Sequence, residues 1–326
     1  MVNEITIGQR IDDFFVLRKI KLRTHEKKGE AYLSLELGDA SGRIFGTLWH
    51  HIESVRNHMH EGELVKIKAK VIDWKGKPHL AIDKVRLATD KDDIRLNDYI
   101  PKSGSNPDSL YQQALTLIEK INSPWYRRLV THIYTDPDLQ PGLLSAAAGK
   151  LWHHCYQGGL LEHSLAVTRL VIKMTELYPA LNPDLLTTAA LLHDIGKIRE
   201  LETSPVIEYT DEGRLLGHIA LGYHLVASRI DEMEGFPIEE RQVLLHLILS
   251  HQGKQENGSP VVPMTREAFA LHYADELDSR LNAFERVYQK EKNQNKSWSS
   301  FVRLLERFFY FGPFEQKNEN GSSKKT

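Results

Sequence analysis

The sequence predicts a two-domain protein, with an all-β barrel at the N-terminus and an all-α helical bundle after it. Apolar and polar residues alternate through residues 1–90, as in strands that are buried on one face. From about residue 109 the apolar spacing changes to the period of amphipathic helices. The polar residues 91–108 between these regions are interrupted by Pro, Gly and Ser, and we interpret them as a linker.

Strand-like segments and turns follow one another through residues 1–90. In YLSLELGD the side chains of Leu33, Leu35 and Leu37 share one face, and DASG then forms a turn. About five short strands, with a helix-like insert near 50–60, indicate a small closed barrel of the OB type. A plain β-sandwich would give similar periodicity and is the alternative. The clearest strand segments are YLSLELGD, RIFGTLW, LVKIKAKVIDW and HLAIDKVRLA.

Helix signals continue from residue 109 to about residue 312, which we take as the second domain. Ser109 is a candidate N-cap, and Asn182-Pro183-Asp184 combines a cap, a first-turn proline and an acid near the positive helix end. Gly196 is a stop signal. We expect the polar tail 313–326 to be disordered. After the first helix, the predicted helical segments are 124–135, 159–178, 183–195, 218–233, 238–250, 265–292 and 297–309.

The composition is that of a soluble globular protein. Of the 326 residues 41% are hydrophobic and 26% are charged, and the net charge of −2 requires any nucleic-acid surface to be local. The single cysteine, Cys155, excludes an intrachain disulfide and fits a reducing cytoplasm. The first residues lack the apolar core of a signal peptide, and no apolar run reaches the roughly 18 residues that span a bilayer. We therefore expect a cytoplasmic protein with no membrane partner.

Histidines and acids are concentrated in the helical region. Nine of the sixteen histidines lie between residues 153 and 272. Five elements, each on or at the end of a different predicted helix, could converge in a bundle core. Imidazole and carboxylate ligands suit Mn, Fe, Co, Ni or Zn, and the lack of cysteine ligands argues against a structural zinc site. These elements are His163, His193-Asp194, His218, His251 and Asp275.

The other histidines of this region have a simpler interpretation. A solitary histidine in an apolar helix is more often a hydrogen-bonded core residue than a ligand, and we assign His153 and His224 to that kind. His246 and His251 are five residues apart and do not share a helix face. We favour His251, at a helix end before Gln252-Gly253, and keep His246 as the alternative.

The order H, HD, H, H, D resembles the HD superfamily of metal-dependent phosphohydrolases. The stretch HHCYQGGLLEHS (153–164), together with the upstream barrel, resembles the YhaM-type 3′–5′ exoribonucleases over nearly the whole chain. One departure is Ser250-His251, where many two-metal relatives have paired histidines. The resemblance implies two divalent ions, with Asp194 bridging them. It implies one ion on His163, His193, Asp194 and Asp275, and a second on Asp194, His218 and His251.

Further roles follow from the same resemblance. Mn²⁺ is the expected metal, with Co²⁺, Fe²⁺, Ni²⁺ and Mg²⁺ as alternatives, and Asp194 is the expected catalytic carboxylate. Lys197 is placed to meet a phosphate oxygen or help the leaving oxygen, or it simply pairs with helix C-terminal carbonyls. His154 and Tyr156 lie on a stretch that lines the cleft in relatives, so we predict substrate contacts there. Asp278, one turn after Asp275, is a candidate outer carboxylate.

The resemblance predicts a 3′–5′ exoribonuclease that hydrolyses single-stranded RNA to 5′-mononucleotides with metal-activated water. Single-stranded DNA is compatible with the same binding chemistry. A nucleotide or cyclic-dinucleotide phosphohydrolase with a regulatory barrel is the first alternative. A nucleic-acid-binding protein with an inactive helical domain is the second. Relatives of this kind form homo-oligomers, which we expect here too.

The barrel carries the predicted strand-binding residues. Three lysines alternate with apolar residues in LVKIKAKV and share one strand face, and three aromatics fall out of phase with the leucine stripes. Exposed aromatics stack bases at about 1–3 kcal/mol each, while cations meet the backbone. The alternatives are a merely solvated lysine face and aromatics that fill the barrel. The residues are Lys66, Lys68 and Lys70, and Tyr32, Phe45 and Trp49.

Overall fold

The N-terminal region is a closed five-stranded barrel. The computed structural model describes residues 1–25, 29–292 and 297–312. The strand order is β1-β2-β3-β5-β4, and β4 pairs back with β1. All pairs are antiparallel except β3 with β5, so the OB-like barrel is confirmed and the sandwich alternative is wrong. The elements are β1 (Arg10–Thr24), β2 (Ala31–Asp39), β3 (Gly42–Leu48), α1 (Ile52–His58), β4 (Leu64–Trp74) and β5 (Lys77–Leu87).

Alternation along the strands fills the barrel. Leu33, Leu35 and Leu37 of β2 are fully buried, and Val65 and Ile67 of β4 meet the same interior. Because successive side chains of a strand point to opposite faces, the residues between them lie on the outer surface. That outer surface holds the predicted binding residues.

The rest of the chain is mainly helical. A two-stranded sheet, β6 (Leu201–Glu202) with β7 (Glu208–Tyr209), lies between α7 and α8. Within the described residues, each helix is too short or too polar to cross a lipid bilayer. The helices are α2 (Pro107–Glu119), α3 (Pro124–Tyr134), α4 (Gln140–Ser145), α5 (Gly159–Leu177), α6 (Pro183–Leu192), α7 (Lys197–Glu200), α8 (Asp211–Asp231), α9 (Ile238–Ser250) and α10 (Arg266–Glu291).

Capping explains where two of these helices begin. The side chain of Asn182 accepts hydrogen bonds from the backbone N–H groups of Asp184 and Leu185, as the start signal predicts. The predicted cap at Ser109 is wrong, because Asn106 caps α2 and Pro107 is its first residue. The polar segment before α2 contacts the helical domain, since the Ser103 hydroxyl donates to a carboxylate oxygen of Glu162 at 2.5 Å.

Helix α6 lies at the centre of the bundle. Every residue from Leu185 to Leu192 is buried, among side chains of α3, α5 and α9. A helix that is apolar all round is stable only inside the protein. Its C-terminal end therefore delivers His193 and Asp194 into the interior.

The predicted helix 297–309 is wrong. Isolated bridges join Trp298 to Tyr310 and Val302 to Arg307, so the segment folds back on itself. Phe309 and Phe311 both contact Phe284 of α10, and these tertiary contacts decide the local conformation. The predicted disordered tail, 313–326, lies outside the described residues.

Candidate metal centre

The structure brings together all the residues predicted as metal ligands. They come from five different parts of the bundle, and all except the half-buried His218 are buried. Convergence of residues that are up to 112 positions apart requires the packed bundle and cannot arise from local structure. They are His163 on α5, His193 and Asp194 after α6, His218 on α8, His251 after α9, and Asp275 on α10.

Two glycines and a kink position His218. A Cβ on Gly196 would lie 2.0 Å from the carbonyl oxygen of His218 and 2.5 Å from the backbone nitrogen of Gly222. Only glycine therefore lets α8 approach the turn that follows Asp194. Gly217, with φ of +72°, interrupts α8 just before His218, whose ring faces the carboxylate of Asp194.

Asp194 lies between two groups of imidazoles. Its Oδ2 is 3.5 Å from His163 Nε2 and 3.6 Å from His193 Nε2. Its Oδ1 is 3.5 Å from both His218 Nε2 and His251 Nε2. We call the group of His163, His193 and Asp275 the first cluster, and the group of His218 and His251 the second cluster.

The first cluster is completed by a second carboxylate. Asp275 Oδ1 lies 3.2 Å from His163 Nε2 and 4.0 Å from His193 Nε2. The Nε2 atoms of the two histidines are 3.2 Å apart. Ligand atoms about 2.1 Å from one ion lie about 3.0–3.4 Å apart, so the spacing of these atoms fits a shared divalent cation.

The second cluster leaves buried polar atoms that only a further group can satisfy. Asp194 Oδ1, His218 Nε2 and His251 Nε2 are inaccessible to solvent and have no hydrogen-bond partner among the described residues. Buried polar atoms without a partner are destabilising, and native proteins seldom keep them. The three atoms lie within 4.8 Å of one another, so one divalent ion could satisfy all three.

The opposite nitrogen of each histidine is held by the protein. Each Nδ1 meets an oxygen that can only accept, so Nδ1 carries the hydrogen and Nε2 faces Asp194. The orientation is therefore the same in all four rings. The acceptors are Asp278 Oδ2 for His163 at 2.7 Å, the Ala190 carbonyl for His193 at 2.9 Å, Glu200 Oε1 for His218 at 3.0 Å, and the Ile248 carbonyl for His251 at 2.7 Å.

The sequence predicted Asp278 as an outer carboxylate, but it did not predict the role of Glu200. Glu200 also accepts a hydrogen bond from the backbone N–H of His218, at 2.9 Å. It lies in the four-residue helix α7, where the sequence gives no sign that its carboxylate turns towards α8. Only the approach of α8 to Gly196 brings the two together.

Charges inside the site shift the pKa values strongly. Burial alone would lower the pKa of His163, but Asp275 and Asp278 outweigh it and raise that pKa to about 9. Burial dominates at His193, whose pKa falls to about 4. Burial alone would raise the pKa of Asp194, but Lys197 and the surrounding histidines lower it far below its usual range. The carboxylate is therefore ionised, as a metal ligand must be.

Lys197, predicted to meet a phosphate oxygen or helix carbonyls, lies against the carboxylate of Asp194. Its Nζ is 2.6 Å from Asp194 Oδ2, and the side chain is buried. Burial alone would lower the pKa of Lys197, but the charge of Asp194 raises it, so the ammonium stays protonated. A cation is thus fixed beside the bridging position.

His154 and Tyr156, predicted to contact substrate, lie beside the metal centre and contact each other. His154 is 3% exposed, and its Nε2 is 2.9 Å from Asp278 Oδ2. Its Nδ1 is 2.9 Å from the Tyr156 hydroxyl. Both ring nitrogens are thus engaged within the protein, and Tyr156–His154–Asp278 forms a chain of contacts behind His163. The adjacent His153, predicted to be a hydrogen-bonded core residue, has both ring nitrogens buried without a hydrogen-bond partner among the described residues.

The predicted aromatics lie on the outside of the barrel. Phe45 is 53% exposed and Trp49 is 37% exposed, and the rings of Tyr32 and Trp49 have centroids 4.8 Å apart. Trp74, also exposed, lies next to His79, which is opposite Phe45 in the pairing of β3 with β5. We call the surface of Tyr32, Phe45, Trp49 and Trp74 the aromatic face. The alternative that these aromatics fill the barrel is wrong.

The predicted lysines share β4 with Trp74 but are separated by β5 from the other residues of the aromatic face. Lys66 and Lys68 of β4 lie 3.6 Å and 3.0 Å from the carboxylate of Asp12 on β1. Strand β5 separates β4, which also carries Lys70, from β3. The barrel closes β4 onto β1, and the sequence cannot reveal that pairing.

Other cations adjoin the aromatic face instead. Arg23 is opposite Tyr32, and Lys21 is opposite Ser34, in the pairing of β1 with β2. Paired residues point to the same side of a sheet, and both cations are exposed. The alternation of Lys19, Lys21 and Arg23 in KIKLRT is a signal that the sequence analysis missed.

Comparisons with known proteins agree with this architecture. The family model of the HD domain matches residues 160–280, which include every residue of both clusters and Asp194. The 3′-5′ exoribonuclease YhaM of Shouchella clausii (strain KSM-K16) is 34% identical over 312 residues. The match covers 95% of this chain and 96% of that protein, so the barrel and the helical domain are both included.

Proposed function

This chain belongs to the YhaM family of HD-domain 3′–5′ exoribonucleases, and from that membership we propose that it shortens single-stranded RNA to 5′-mononucleotides. It is a metal-dependent hydrolase with RNA as substrate. The observation that carries the proposal is Asp194, whose two oxygens each lie 3.5–3.6 Å from a separate pair of imidazole nitrogens. One carboxylate between two clusters is the arrangement expected of a two-ion phosphodiesterase.

The donor set supports two divalent ions, and we propose Mn²⁺. The first cluster with Asp194 offers two imidazoles and two carboxylates, and the second cluster with Asp194 offers two imidazoles and one carboxylate. Imidazole and carboxylate donors together suit Mn²⁺, with Co²⁺, Fe²⁺, Ni²⁺ and Mg²⁺ as alternatives. Ions bound there supply Lewis acidity, which activates a water and stabilises charge on the phosphoryl oxygens.

The residues of the chain prepare this chemistry. Asp278 and Glu200 accept the Nδ1–H of His163 and His218, which keeps each Nε2 directed at Asp194. His154, bonded to Tyr156, holds the Asp278 carboxylate in turn. Lys197 brings a buried positive charge to Asp194 Oδ2, where it can meet an oxygen of the scissile phosphate.

We propose that the aromatic face of the barrel holds the RNA strand. Three exposed aromatic rings, the half-buried Tyr32 and the neighbouring Lys21 and Arg23 provide stacking surfaces and cations for a single strand. A strand held there is a tethered substrate, so its local concentration at the metal centre rises. Stacking and phosphate contacts do not require a 2′-hydroxyl, so we propose single-stranded DNA as a second substrate.

The remaining proposals concern assembly and location. Phe269, Tyr273, Leu277 and Leu281 recur every fourth residue on α10 and are 43–60% exposed, which favours a homo-oligomer built on this apolar row. Sedimentation of the wild type should give more than one subunit, and Leu281→Glu should lower the mass. A monomeric wild type would contradict the proposal. The cytoplasmic location stays a prediction.

Labelled single strands test the function directly. With Mn²⁺, RNA carrying a 5′ label should give a ladder of progressively shorter products, while a 3′ label should appear at once as a mononucleotide. EDTA should stop both reactions. Hydrolysis of free nucleotides or cyclic dinucleotides, without shortening of the strand, would instead indicate the phosphohydrolase alternative.

A further inference from the structure

His153 borders the first cluster and lies close enough to His163 and Asp194 to share an ion with them. One of its ring nitrogens lies within 4.8 Å of a nitrogen of His163 and an oxygen of Asp194. Its ring centroid is 5.0 Å from that of His163. Both ring nitrogens are inaccessible to solvent, and neither has a hydrogen-bond partner among the described residues.

The protein offers no hydrogen-bond partner to the ring of His153 among the described residues, although it offers one to each nitrogen of the neighbouring His154. A buried hydrogen-bonding group without a partner is destabilising, whereas His154 has a protein partner on each ring nitrogen. The two neighbouring rings thus have opposite surroundings. His154 is fixed from behind the site, and His153 has a ring nitrogen, unpartnered among the described residues, within 4.8 Å of an oxygen of Asp194.

We propose that His153 is a catalytic residue that donates a hydrogen bond to a phosphodiester oxygen of the 3′-terminal linkage. The proposal rests on the proposed exoribonuclease function. The location favours the phosphate over other parts of the substrate, because Asp194 lies where two ions would hold the scissile group. Lys197, 2.6 Å from Asp194 Oδ2, supplies a positive charge to the same anionic group. A neutral imidazole supplies one N–H donor, which suits a phosphoryl oxygen.

Neighbouring variants separate this role from metal binding. His153→Ala should bind Mn²⁺ as the wild type does, within about threefold by calorimetry without RNA, because His153 is not a ligand. Its kcat on RNA should fall about 100-fold, as when one preorganised donor is lost at a transition state. His154→Ala is the matched variant and should weaken Mn²⁺ binding, because Asp278 loses one of the two imidazoles that hold it beside His163. A drop of more than tenfold in Mn²⁺ affinity for His153→Ala would make His153 a ligand and overturn the proposal.

Modified substrates identify the atom that His153 contacts. A phosphorothioate at the terminal linkage should slow the wild type, and for one diastereomer the slowing should be several-fold smaller in His153→Ala. On RNA with a terminal 2′-deoxynucleotide, the loss of kcat caused by His153→Ala should remain about 100-fold. If that loss disappears with the deoxynucleotide, His153 contacts the sugar hydroxyl and the phosphate assignment is wrong.

Two controls keep the result interpretable. His153→Asn and His153→Gln place an N–H near the positions of Nδ1 and Nε2, and the variant that matches the contacting nitrogen should recover part of the activity, with circular dichroism and melting temperature as checks on folding. A wild type that fails to shorten RNA with Mn²⁺ would overturn the proposed function itself. An active wild type with an equally active His153→Ala would overturn only the assignment of His153.

Discussion

The metal centre and the aromatic face differ in how firmly the protein holds their side chains. At the metal centre each of the four histidines is held through Nδ1 by an acceptor 2.7–3.0 Å away, and most of the residues are fully buried. On the aromatic face Phe45 and Trp74 are more than half exposed, and Tyr32 and Trp49 contact each other. The side chains of the metal centre are therefore held in place before substrate binds, whereas those of the aromatic face are open to solvent.

The difference follows from what each region must do. Hydrolysis depends on atoms placed to within a fraction of an ångström, which buried partners can guarantee. Holding a strand of any sequence requires only flat rings and cations, which tolerate small displacements of the bases. Substitutions should therefore cost most activity at the metal centre and least on the barrel.

The largest effect is expected for Asp194→Asn. The change removes the negative charge between the two clusters while it keeps the size of the side chain. Activity should fall about 1000-fold or more, because about 4 kcal/mol of transition-state stabilisation depends on the bridged ions. Rates of shortening of 5′-labelled RNA with Mn²⁺ measure the loss.

The control for this variant is Asp231→Asn. Asp231 is an exposed acid with 66% of its side chain accessible, paired with Arg241, and its removal should leave the rate unchanged. Folding of both variants is checked by circular dichroism. Activity of Asp194→Asn within tenfold of the wild type would contradict the two-ion assignment.

A smaller effect is expected behind the site, at Asp278. Asp278→Ala removes the acceptor for His163 Nδ1, so the ring loses its orientation and Mn²⁺ affinity should fall about 10–100-fold. Asp278→Asn keeps an accepting oxygen and should lose less Mn²⁺ affinity than Asp278→Ala. Competition with a chelator measures the affinity without RNA. Glu276→Gln, at a half-buried neighbour on α10 paired with Arg280, is the control, and an equal loss there would point to a general effect on α10.

The sequence predicted the metal centre better than its surroundings. Asp194 and the residues of the two clusters carry a specific order of residue types, and a buried α6 has to deliver His193 and Asp194 inward. Glu200 could not be found in the same way, because its role depends on the packing of α8 against Gly196. Local pattern identifies ligands, and tertiary packing identifies their partners.

Two errors have the same physical origin. His153 and His154 are adjacent and chemically identical, so only their surroundings reveal which ring meets Asp278 and which faces Asp194. On the barrel, the alternation in LVKIKAKV correctly puts Lys66 and Lys68 outside. It does not reveal that closure of β4 onto β1 pairs them with Asp12. The spatial neighbour of a residue is set by topology, which local periodicity does not encode.

On the aromatic face the expected effects are moderate. Phe45→Ala should weaken binding of single-stranded RNA about tenfold, because one stacked base contributes about 1–3 kcal/mol. Turnover of a dinucleotide, which has no bases beyond the linkage that is cleaved, should stay unchanged. Binding is measured by fluorescence anisotropy in EDTA. Tyr178→Ala, at an equally exposed aromatic after α5, is the control, and equal weakening by both variants would indicate that RNA binds exposed rings without preference.

The smallest effect is expected for the β4 lysines. Lys66 and Lys68 are already paired with Asp12, so their replacement by alanine together with Lys70 should weaken RNA binding less than about threefold. Lys21 and Arg23 flank Tyr32 and Ser34, so their double replacement by alanine should reduce the slope of log K against log salt by about 0.7 for each phosphate that the protein no longer neutralises. Anisotropy titrations at several salt concentrations compare the two variants. A larger change in slope for the β4 triple variant would move the strand to the β1–β4 side, away from the aromatic face.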